Sequence, residues 1–332
     1  SSLKQQSSAH YIDLPNGMKN KIRFSGGIAW YPDDSKDVKE LLKISDFTML
    51  EAKQAEKGSI YEFDKLRYKN RSYLLENSEA INRLIDDKLV RFAFQPIVDL
   101  KTGEIFAYEA LMRPLTPEFN GPLEILSVAS AQSKLPQLER LIMSVVCDTI
   151  AKQLDIIGDR YIFVNSIPAE TADNTTYFLV KTIKEQYNNL FEKIIIEIIE
   201  RDSRDENALI ESVNYLKENG FKVAIDDFGS GYSNEIRIIK LSPNIVKIDM
   251  ELIQGIATNV DKQVIVKGII DFCHQKDIRI VAEGVEYAED LKYLIDIHVD
   301  YVQGYYLAKP NFEFMDLPED KKQEILNYNR NK

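Results

Sequence analysis

Eight short apolar segments recur along the chain, and five of them end at a polar or charged residue. Their bounds are 92–98, 106–112, 161–165, 194–200, 223–227, 245–249, 280–286 and 301–306. Each segment is rich in β-branched or aromatic residues and too short for a buried helix, which predicts strands. Segments of helical length separate them from Asn165 onward. A succession of about eight strand–helix units predicts a closed parallel barrel.

The carboxyl ends of the strands in such a barrel meet at one mouth, so polar residues that lie within or at the end of these segments should come together there. This set consists of Glu109, Asn165, Glu197, Asp226, Asp227, Lys247, Glu283 and Gln303. So many carboxylates cannot share a pocket without compensation, because neighbouring negative charges oppose ionisation. We therefore expect cations at the mouth.

The residues before the barrel predict a small α+β fragment. The pattern indicates a strand and turn at 21–32, an amphipathic helix pair at 34–58, a short strand at 59–64 and a charged connecting helix at 65–90. Another charged helix is expected at 319–332. The N-terminus lacks a hydrophobic signal region, and no apolar run approaches the ~18–20 residues of a membrane span.

Composition argues against several classes of function. The 332 residues include two cysteines, Cys147 and Cys273, without CxxC spacing, and three scattered histidines, so neither a zinc knuckle nor a histidine metal site is predicted. We interpret both cysteines as buried thiols in a reducing cytoplasm. The net charge of −11 argues against long nucleic acid as a partner, since that ligand needs a basic footprint.

The segment IDDFGSGYS at 225–233 carries the strongest chemical signal, because two adjacent acids close a strand before a Gly-rich loop. Alone, this pattern is as typical of a turn or a helix N-cap as it is of a functional site. Lys247 and Glu283 end the next two strands, and together these residues indicate a site. Carboxylate and amide oxygens suit Mg²⁺ or Mn²⁺ better than zinc. Two such ions about 3.5–4 Å apart can activate a water and clamp a phosphate, which predicts phosphodiester hydrolysis.

Two basic residues fit the same chemistry. Lys247 could hydrogen-bond the attacking water or offset charge in the transition state. Arg113, four residues after Glu109, could grip a phosphate oxygen bidentately. Ca²⁺ should inhibit, because its longer bonds of about 2.3–2.6 Å would space the ions badly. No Ser-His-Asp or Cys-His set is recognisable, so a covalent nucleophile is not expected.

Seven motifs occur in a familiar order: QPIVDLKTGEIFAYEALMRP, FVNSIP, EIIERD, VAIDDFGSGYSN, VKID, VAEGVE and QGYYLAKP. Through them, residues from about 76 to 315 resemble the EAL domain, the family that cleaves cyclic di-GMP to linear pGpG. The resemblance implies an α/β fold, a (β/α)8 TIM-barrel variant whose first strand runs antiparallel. The short gap KTGE between the first two segments agrees with that topology.

The resemblance also implies roles for single residues. The first metal would be bound by Glu109, Asn165, Glu197 and Asp226, and the second by Asp226, Asp227 and Glu283. Lys247 would contact the attacking water, and Gln95, Arg113 and Gln303 would line the phosphate region. Glu200 would steady the loop DFGSGYS. Ile199 departs from the pattern, because the family usually has threonine there and isoleucine lacks the hydroxyl.

Residues 21–64 resemble the C-terminal part of a GGDEF diguanylate cyclase domain, through FSGGIAWYPDD and LLKISDFTMLEAKQAEKG. The Gly-Gly acidic turn of that family is absent from these residues, so no cyclase activity is expected. The predicted organisation is a GGDEF-like fragment at 1–64, a connecting helix at 65–90, an EAL barrel at 76–318 and a helical tail at 319–332. The resemblance further implies a homodimer formed through the barrel.

Two other functions stay open. An EAL fold can act as a receptor that binds cyclic di-GMP without cutting it; the retained acidic ligands favour the enzyme, and Ile199 favours the receptor. A metal-dependent lyase of enolase type also places carboxylates and lysine around a barrel. The DDFGSG loop and the small number of histidines speak against the lyase.

Overall fold

The computed structural model describes residues 11–13, 19–21, 24–55, 58–72, 74, 77–166, 175–199, 206–229 and 235–330. Its strands are β1 (Tyr11–Asp13), β2 (Lys19–Lys21), β3 (Gly26–Ile28), β4 (Ile60–Glu62), β5 (Val90–Asp99), β6 (Ile105–Pro114), β7 (Tyr161–Ser166), β8 (Ile194–Ile199), β9 (Lys222–Phe228), β10 (Ile245–Ile248), β11 (Arg279–Ala282) and β12 (Tyr301–Val302). Its α-helices are α1 (Val38–Ala55), α2 (Lys65–Arg71), α3 (Ser78–Asp86), α4 (Pro122–Ala131), α5 (Leu135–Ala151), α6 (Leu154–Ile157), α7 (Thr175–Gln186), α8 (Glu206–Glu218), α9 (Glu235–Leu241), α10 (Met250–Ile253), α11 (Val260–Gln275), α12 (Ala288–Asp296) and α13 (Glu319–Arg330).

Strands β5 to β12 close into an eight-stranded barrel in chain order. The pairs from β6 through β12 are parallel, whereas β5 is antiparallel to both of its neighbours, β6 and β12. Each predicted apolar segment overlaps one of these strands. The predicted barrel with an antiparallel first strand is therefore confirmed.

The last strand is shorter than its predicted segment, 301–306, because β12 ends at Val302. The chain turns next, and Gly304 lies against Val285, where an added Cβ would come 2.1 Å from the Val285 carbonyl oxygen. The Tyr306 amide donates to that same carbonyl at 3.0 Å. This close approach between two loops ends the strand, and no apolar pattern in the sequence indicates it.

An apolar layer fills the barrel interior below the mouth. It consists of Ile97, Ala107, Phe163, Ile195, Ala224, Ile245 and Val281. Phe106 and Tyr301 stack against it with ring centroids 3.9 Å apart. Helix α11 shows how the outer helices cover the sheet, because its buried residues Val266, Ile269, Ile270 and Cys273 follow the helical period.

The chain divides into two compact units, residues 1–89 with 116–138 and residues 90–115 with 139–332. In the first unit, β3 and β4 pair in parallel and α1 connects them. Gly27 lets this strand approach α1, since an added Cβ would lie 2.1 Å from the Ser45 carbonyl oxygen. The predicted domain boundaries themselves stay a prediction.

Two helix predictions in this unit were wrong. The expected pair at 34–58 is one helix, α1, because Ser45 donates its hydroxyl to the Leu42 carbonyl at 2.9 Å and is satisfied inside the helix. The single helix expected at 65–90 is interrupted: its described residues include two separate helices, α2 and α3, and Asp64 caps the first of them. The charged tail is helical from Glu319 to Arg330, as predicted. Within the described residues, no helix is both long and apolar enough to cross a membrane.

Candidate active site

A β-bulge places two acids opposite one lysine. Strand β9 has two residues, Asp226 and Asp227, where β10 has one, Lys247, because the register shifts between Val246 and Ile248. Asp227 also has a positive φ of 56°, which is uncommon for a non-glycine residue. Adjacent strand residues normally point to opposite faces, and a bulge changes that alternation locally. Both carboxylates therefore reach the same mouth.

Lys247 lies at the centre of four carboxylates. Its Nζ is 2.5 Å from Glu197 Oε1, 2.7 Å from Glu283 Oε1, 2.9 Å from Asp226 Oδ1 and 3.5 Å from Glu109 Oε2. Lys247 and Glu197 are fully buried. The structure thus brings together residues from four elements around one ammonium group, at the position that the sequence predicted.

Burial and charge shift the proton affinities of these groups. Burial opposes the charge on Lys247, but the four surrounding carboxylates raise its pKa well above its ordinary value. Burial raises the pKa of Glu197 well above its usual range, although Lys247 opposes the shift. Burial likewise raises the pKa of Glu283 to about 8, again against the effect of Lys247. One ammonium is therefore insufficient to stabilise all these carboxylates in ionised form.

Two amide side chains hold Glu109, and a third, Gln95, supports one of them. Gln303 Nε2 donates to Glu109 Oε2 at 2.6 Å and lies 3.1 Å from Gln95 Oε1, to which it also donates. Gln95 Nε2 donates to the Ala308 carbonyl at 3.1 Å, and Asn165 Nδ2 donates to Glu109 Oε1 at 3.3 Å. Gln95 and Gln303 were predicted to line the phosphate region, and here they also fix a predicted metal ligand.

The donor set fits divalent cations. Asp226, Asp227 and Glu283 offer carboxylate oxygens that all lie within 4.8 Å of one another. Glu197 Oε2 is buried and accepts no hydrogen bond from the described residues, and the same holds for Gln303 Oε1. Buried oxygens of this kind need an explanation, and an ion is one of the usual ones. The oxygen-only chemistry suits Mg²⁺ or Mn²⁺.

Asp249 is a site residue that the sequence interpretation missed. Burial raises the pKa of Asp227 to about 6, and the negative charges of Asp226 and Asp249 and a hydrogen bond with Asp249 add to the shift. The Asp249 side chain also accepts the Glu251 amide at 2.7 Å and caps α10. The available signal was its spacing, because Asp249 follows Lys247 by two residues and directly follows the end of β10.

Two glycines bring the loops of the mouth close to the segment after β10. Gly229 has a φ of 105°, and a Cβ there would lie 2.3 Å from Leu252 Cδ1. Gly284, which follows Glu283, has a φ of 67°, and a Cβ there would lie 2.4 Å from Met250 Cβ. Only glycine fits both the conformation and the space. Helix α10 therefore packs beneath the two loops that follow Asp227 and Glu283.

Two predicted residues are not part of this cluster in the described structure. Arg113 is half-buried and donates to the Met112 carbonyl at 2.9 Å. Glu200 lies outside the described residues, as does most of the loop 229–233, and so does the side chain of Ile199. Their predicted roles stay predictions.

A family model described as EAL domain matches residues 78–310 of the chain. The chain belongs to the EAL domain family. The barrel that carries the cluster around Lys247 is thus an EAL domain, and the matched range contains every site residue named above.

This EAL domain resembles several known proteins. The chain is 26% identical over 325 residues to the cyclic di-GMP phosphodiesterase NbdA of Pseudomonas aeruginosa, which covers 93% of this chain and 41% of that protein. It is 27% identical over 290 residues to the cyclic di-GMP phosphodiesterase PdeR of Escherichia coli, covering 86% of this chain and 44% of that protein. The chain therefore spans less than half the length of these relatives.

Among solved structures, the EAL domain is similar to a standalone versatile EAL protein from Vibrio cholerae O395 in its c-di-GMP bound form. The TM-score is 0.61 at 31% identity, covering 70% of this chain and 97% of that one. An EAL domain protein from Listeria monocytogenes EGD-e matches with a TM-score of 0.61 at 29% identity, covering 75% of this chain and 96% of that one.

Proposed function

We propose that this chain hydrolyses cyclic di-GMP to linear pGpG. The observation that carries the proposal is a cluster of five carboxylates and one amide at the mouth of an EAL barrel, four of these carboxylates lying around Lys247. These groups belong to Glu109, Asn165, Glu197, Asp226, Asp227 and Glu283. The relatives NbdA and PdeR are cyclic di-GMP phosphodiesterases, which supports cyclic di-GMP as the substrate. The similar protein from Vibrio cholerae binds the same molecule.

The charge balance supports two divalent ions, Mg²⁺ or Mn²⁺. Five ionised carboxylates and one ammonium leave an excess of four negative charges, which two such ions would balance. We assign one ion to Glu109, Asn165, Glu197 and Asp226, and the other to Asp226, Asp227 and Glu283. When bound, the ions would lower the pKa of a coordinated water and clamp the attacked phosphate.

The chain's own residues position the reaction. Lys247 donates a hydrogen bond to the attacking water and offsets negative charge as it develops on the phosphate. Gln303 and Asn165 keep Glu109 in one orientation through the hydrogen bonds described above. The water oxygen forms a bond to phosphorus while the bond from phosphorus to the 3′-oxygen breaks. That oxygen takes a proton, and the product keeps the phosphate at its 5′ end.

Chromatography of the reaction products tests this proposal. Metal-stripped protein is incubated with cyclic di-GMP and Mg²⁺, Mn²⁺, Ca²⁺ or chelator. We expect pGpG with Mg²⁺ or Mn²⁺ and none with Ca²⁺ or chelator. Asp271→Asn, an acid-to-amide change at an exposed position of α11, is the matched control and should keep full activity. Tight binding without any cleavage would make the chain a receptor and contradict the enzyme.

We also propose that residues 1–64 are the C-terminal fragment of a GGDEF domain. The parallel unit formed by β3, α1 and β4 supports this, since it contains the sequences FSGGIAWYP and LLKISDF that resemble the GGDEF domain. The fragment should make no cyclic di-GMP from GTP. The assay is best run with Asp226→Asn, which should not degrade a product. Cyclic di-GMP formed there would contradict the prediction.

We further infer a homodimer formed through the barrel and a cytoplasmic location. Half-exposed apolar residues on α9 support the dimer, among them Ile236 at 55% and Ile239 at 56% exposure. The two buried free thiols, Cys147 and Cys273, suit a reducing compartment. Sedimentation velocity at several concentrations would test the dimer, and a monomer throughout would contradict it.

A further inference from the structure

Two arginines face each other across the β5–β6 hairpin. Arg91 and Arg113 are directly opposite in its register, four residues beyond the Gln95–Glu109 pair. Opposed residues of an antiparallel pair share a face, and so do residues two apart along each strand. Both arginines therefore lie on the same face as Gln95 and Glu109, about 13 Å further toward the mouth at ~3.3 Å per residue.

These two positive charges need a partner. Like charges directly opposite each other destabilise a strand pair. Among the described residues, no carboxylate contacts either guanidinium: Arg113 donates to the Met112 carbonyl, and Arg91 lies over the ring of Phe312. Because the adjoining site is built for an anionic substrate, the missing negative charge or acceptor is best supplied by that substrate.

Phe312 holds Arg91 in a defined orientation. The Arg91 Cζ lies 3.5 Å from the ring centroid, and the ring itself is 45% exposed. The neighbouring Asn311 is anchored to β5, because its carbonyl accepts the Phe94 amide at 2.6 Å and its own amide donates back at 3.0 Å. Phe314 packs on Phe94 with centroids 4.1 Å apart. The aromatic platform under Arg91 is thus fixed to the barrel.

We propose that Arg91, supported by Phe312 and joined by Arg113, binds the half of the cyclic dinucleotide that is not cleaved. This inference rests on the proposed function. A guanidinium packed against a ring has N–H groups left for other partners, and two of them match a pair of acceptors. The second nucleotide offers two such pairs, the O6 and N7 atoms of guanine and the oxygens of the second phosphate.

Binding and turnover of Arg91→Gln test the subsite. Kd is measured by calorimetry in Ca²⁺, and KM and kcat in Mg²⁺. We expect Kd and KM to rise about tenfold for cyclic di-GMP, the effect of roughly one lost charge-assisted contact, with kcat within about twofold of wild type. Phe312→Leu should raise both constants less, about threefold. An unchanged Tm would show that Arg91→Gln folds normally.

Cyclic di-AMP separates the two acceptor pairs. If Arg91→Gln weakens only cyclic di-GMP binding, the contact is to guanine; if it weakens both ligands equally, the contact is to phosphate. Either result supports the subsite.

Arg140→Gln is the matched control, because Arg140 is also exposed and lies 4.8 Å from the ring centroid of Phe178 on an outer helix. Equal effects of the two substitutions, or unchanged Kd and KM in Arg91→Gln, would overturn the subsite and leave the proposed function standing. A wild-type chain that neither binds nor cleaves cyclic di-GMP would overturn both.

Discussion

Two layers of side chains inside the barrel are similarly buried and chemically opposite. The lower layer includes Ala107, Ile195, Ala224 and Ile245, and two residues further along the same strands stand Glu109, Glu197, Asp226 and Lys247. Ile195 and Glu197 are both 0% exposed. The lower layer is stabilised by apolar contact, whereas burying the upper one costs free energy unless its charges are compensated. The upper layer is therefore best explained by ligand binding.

Asp226→Asn, in the upper layer, should have the largest effect on turnover. Asp226 stands in the bulge where both proposed ion positions meet, and the change removes a shared charge. Loss of the metal-held water should lower turnover by about a thousandfold or more, or ~4 kcal/mol of barrier. Steady-state pGpG formation measures this. Retention of more than about a tenth of wild-type activity would show that the two-metal assignment is wrong.

Ile195→Ala, in the lower layer, should instead lower the stability of the fold. Removing a buried isoleucine side chain leaves a cavity, and we expect ~2–5 kcal/mol of unfolding free energy to be lost. Because Ile195 belongs to the apolar layer and is not a proposed metal ligand, kcat per folded molecule should stay near the wild-type value. Urea denaturation and active-site titration measure the two quantities. A variant that is stable but inactive would contradict the separation of the layers.

Gln303→Leu tests whether the amides of the upper layer position Glu109 for turnover. The substitution removes the hydrogen bond that holds Glu109 Oε2 while keeping a side chain of similar size. Glu109 would lose orientation, and kcat should fall by about tenfold, as is usual when a partner of a metal ligand is removed. Rescue in Gln303→Asn is not expected, because the shorter side chain cannot reach. An unchanged kcat would mean that Asn165 alone fixes Glu109.

Glu197→Gln should have the smallest effect, and in the opposite direction. The pKa of Glu197 is raised in the folded state, so the contribution of this group to stability is present at low pH and is lost as the pH rises. Glutamine cannot ionise, so the metal-free variant should melt at a higher temperature than wild type at pH 8.

The gain from Glu197→Gln should vanish near pH 4, where wild-type Glu197 is protonated. Thermal melts across this pH range, with chelator present, measure the difference. A variant less stable than wild type at pH 8 would contradict the proposed cost of the charged layer.

Much of the fold and of the site was predictable from the pattern of single segments. Short apolar segments that carry acids predicted the strands and placed Glu109, Glu197 and Glu283 at one mouth. The bulge at Asp226 and Asp227 was not predictable, because register depends on how β9 and β10 pair and leaves no mark in either segment. The spacing of Asp249 from Lys247 was visible in the sequence, but its effect on Asp227 depends on how β9 and β10 pair.

The expected helix pair at 34–58 shows a different limit. A serine and an aspartate interrupt the apolar pattern at 45 and 46, which suggested a break. The helix continues because the Ser45 hydroxyl finds an acceptor within it and the apolar positions Ile44 and Phe47 stay buried on one side. Local sequence gives the polarity of a residue, but it does not show whether the fold supplies a hydrogen-bond partner for that residue.

Counting the manganese ions bound when activity appears tests the central claim most directly. Metal-free protein is titrated with Mn²⁺ while free Mn²⁺ and pGpG are measured in the same samples. We predict that cleavage reaches its maximum at two bound ions per chain, and that Asp226→Asn binds fewer ions without cleaving. The claim that the charged layer is a two-metal phosphodiesterase site would be contradicted by maximal cleavage of cyclic di-GMP with no bound metal. Full activity of Asp226→Asn in Mn²⁺ would contradict it as well.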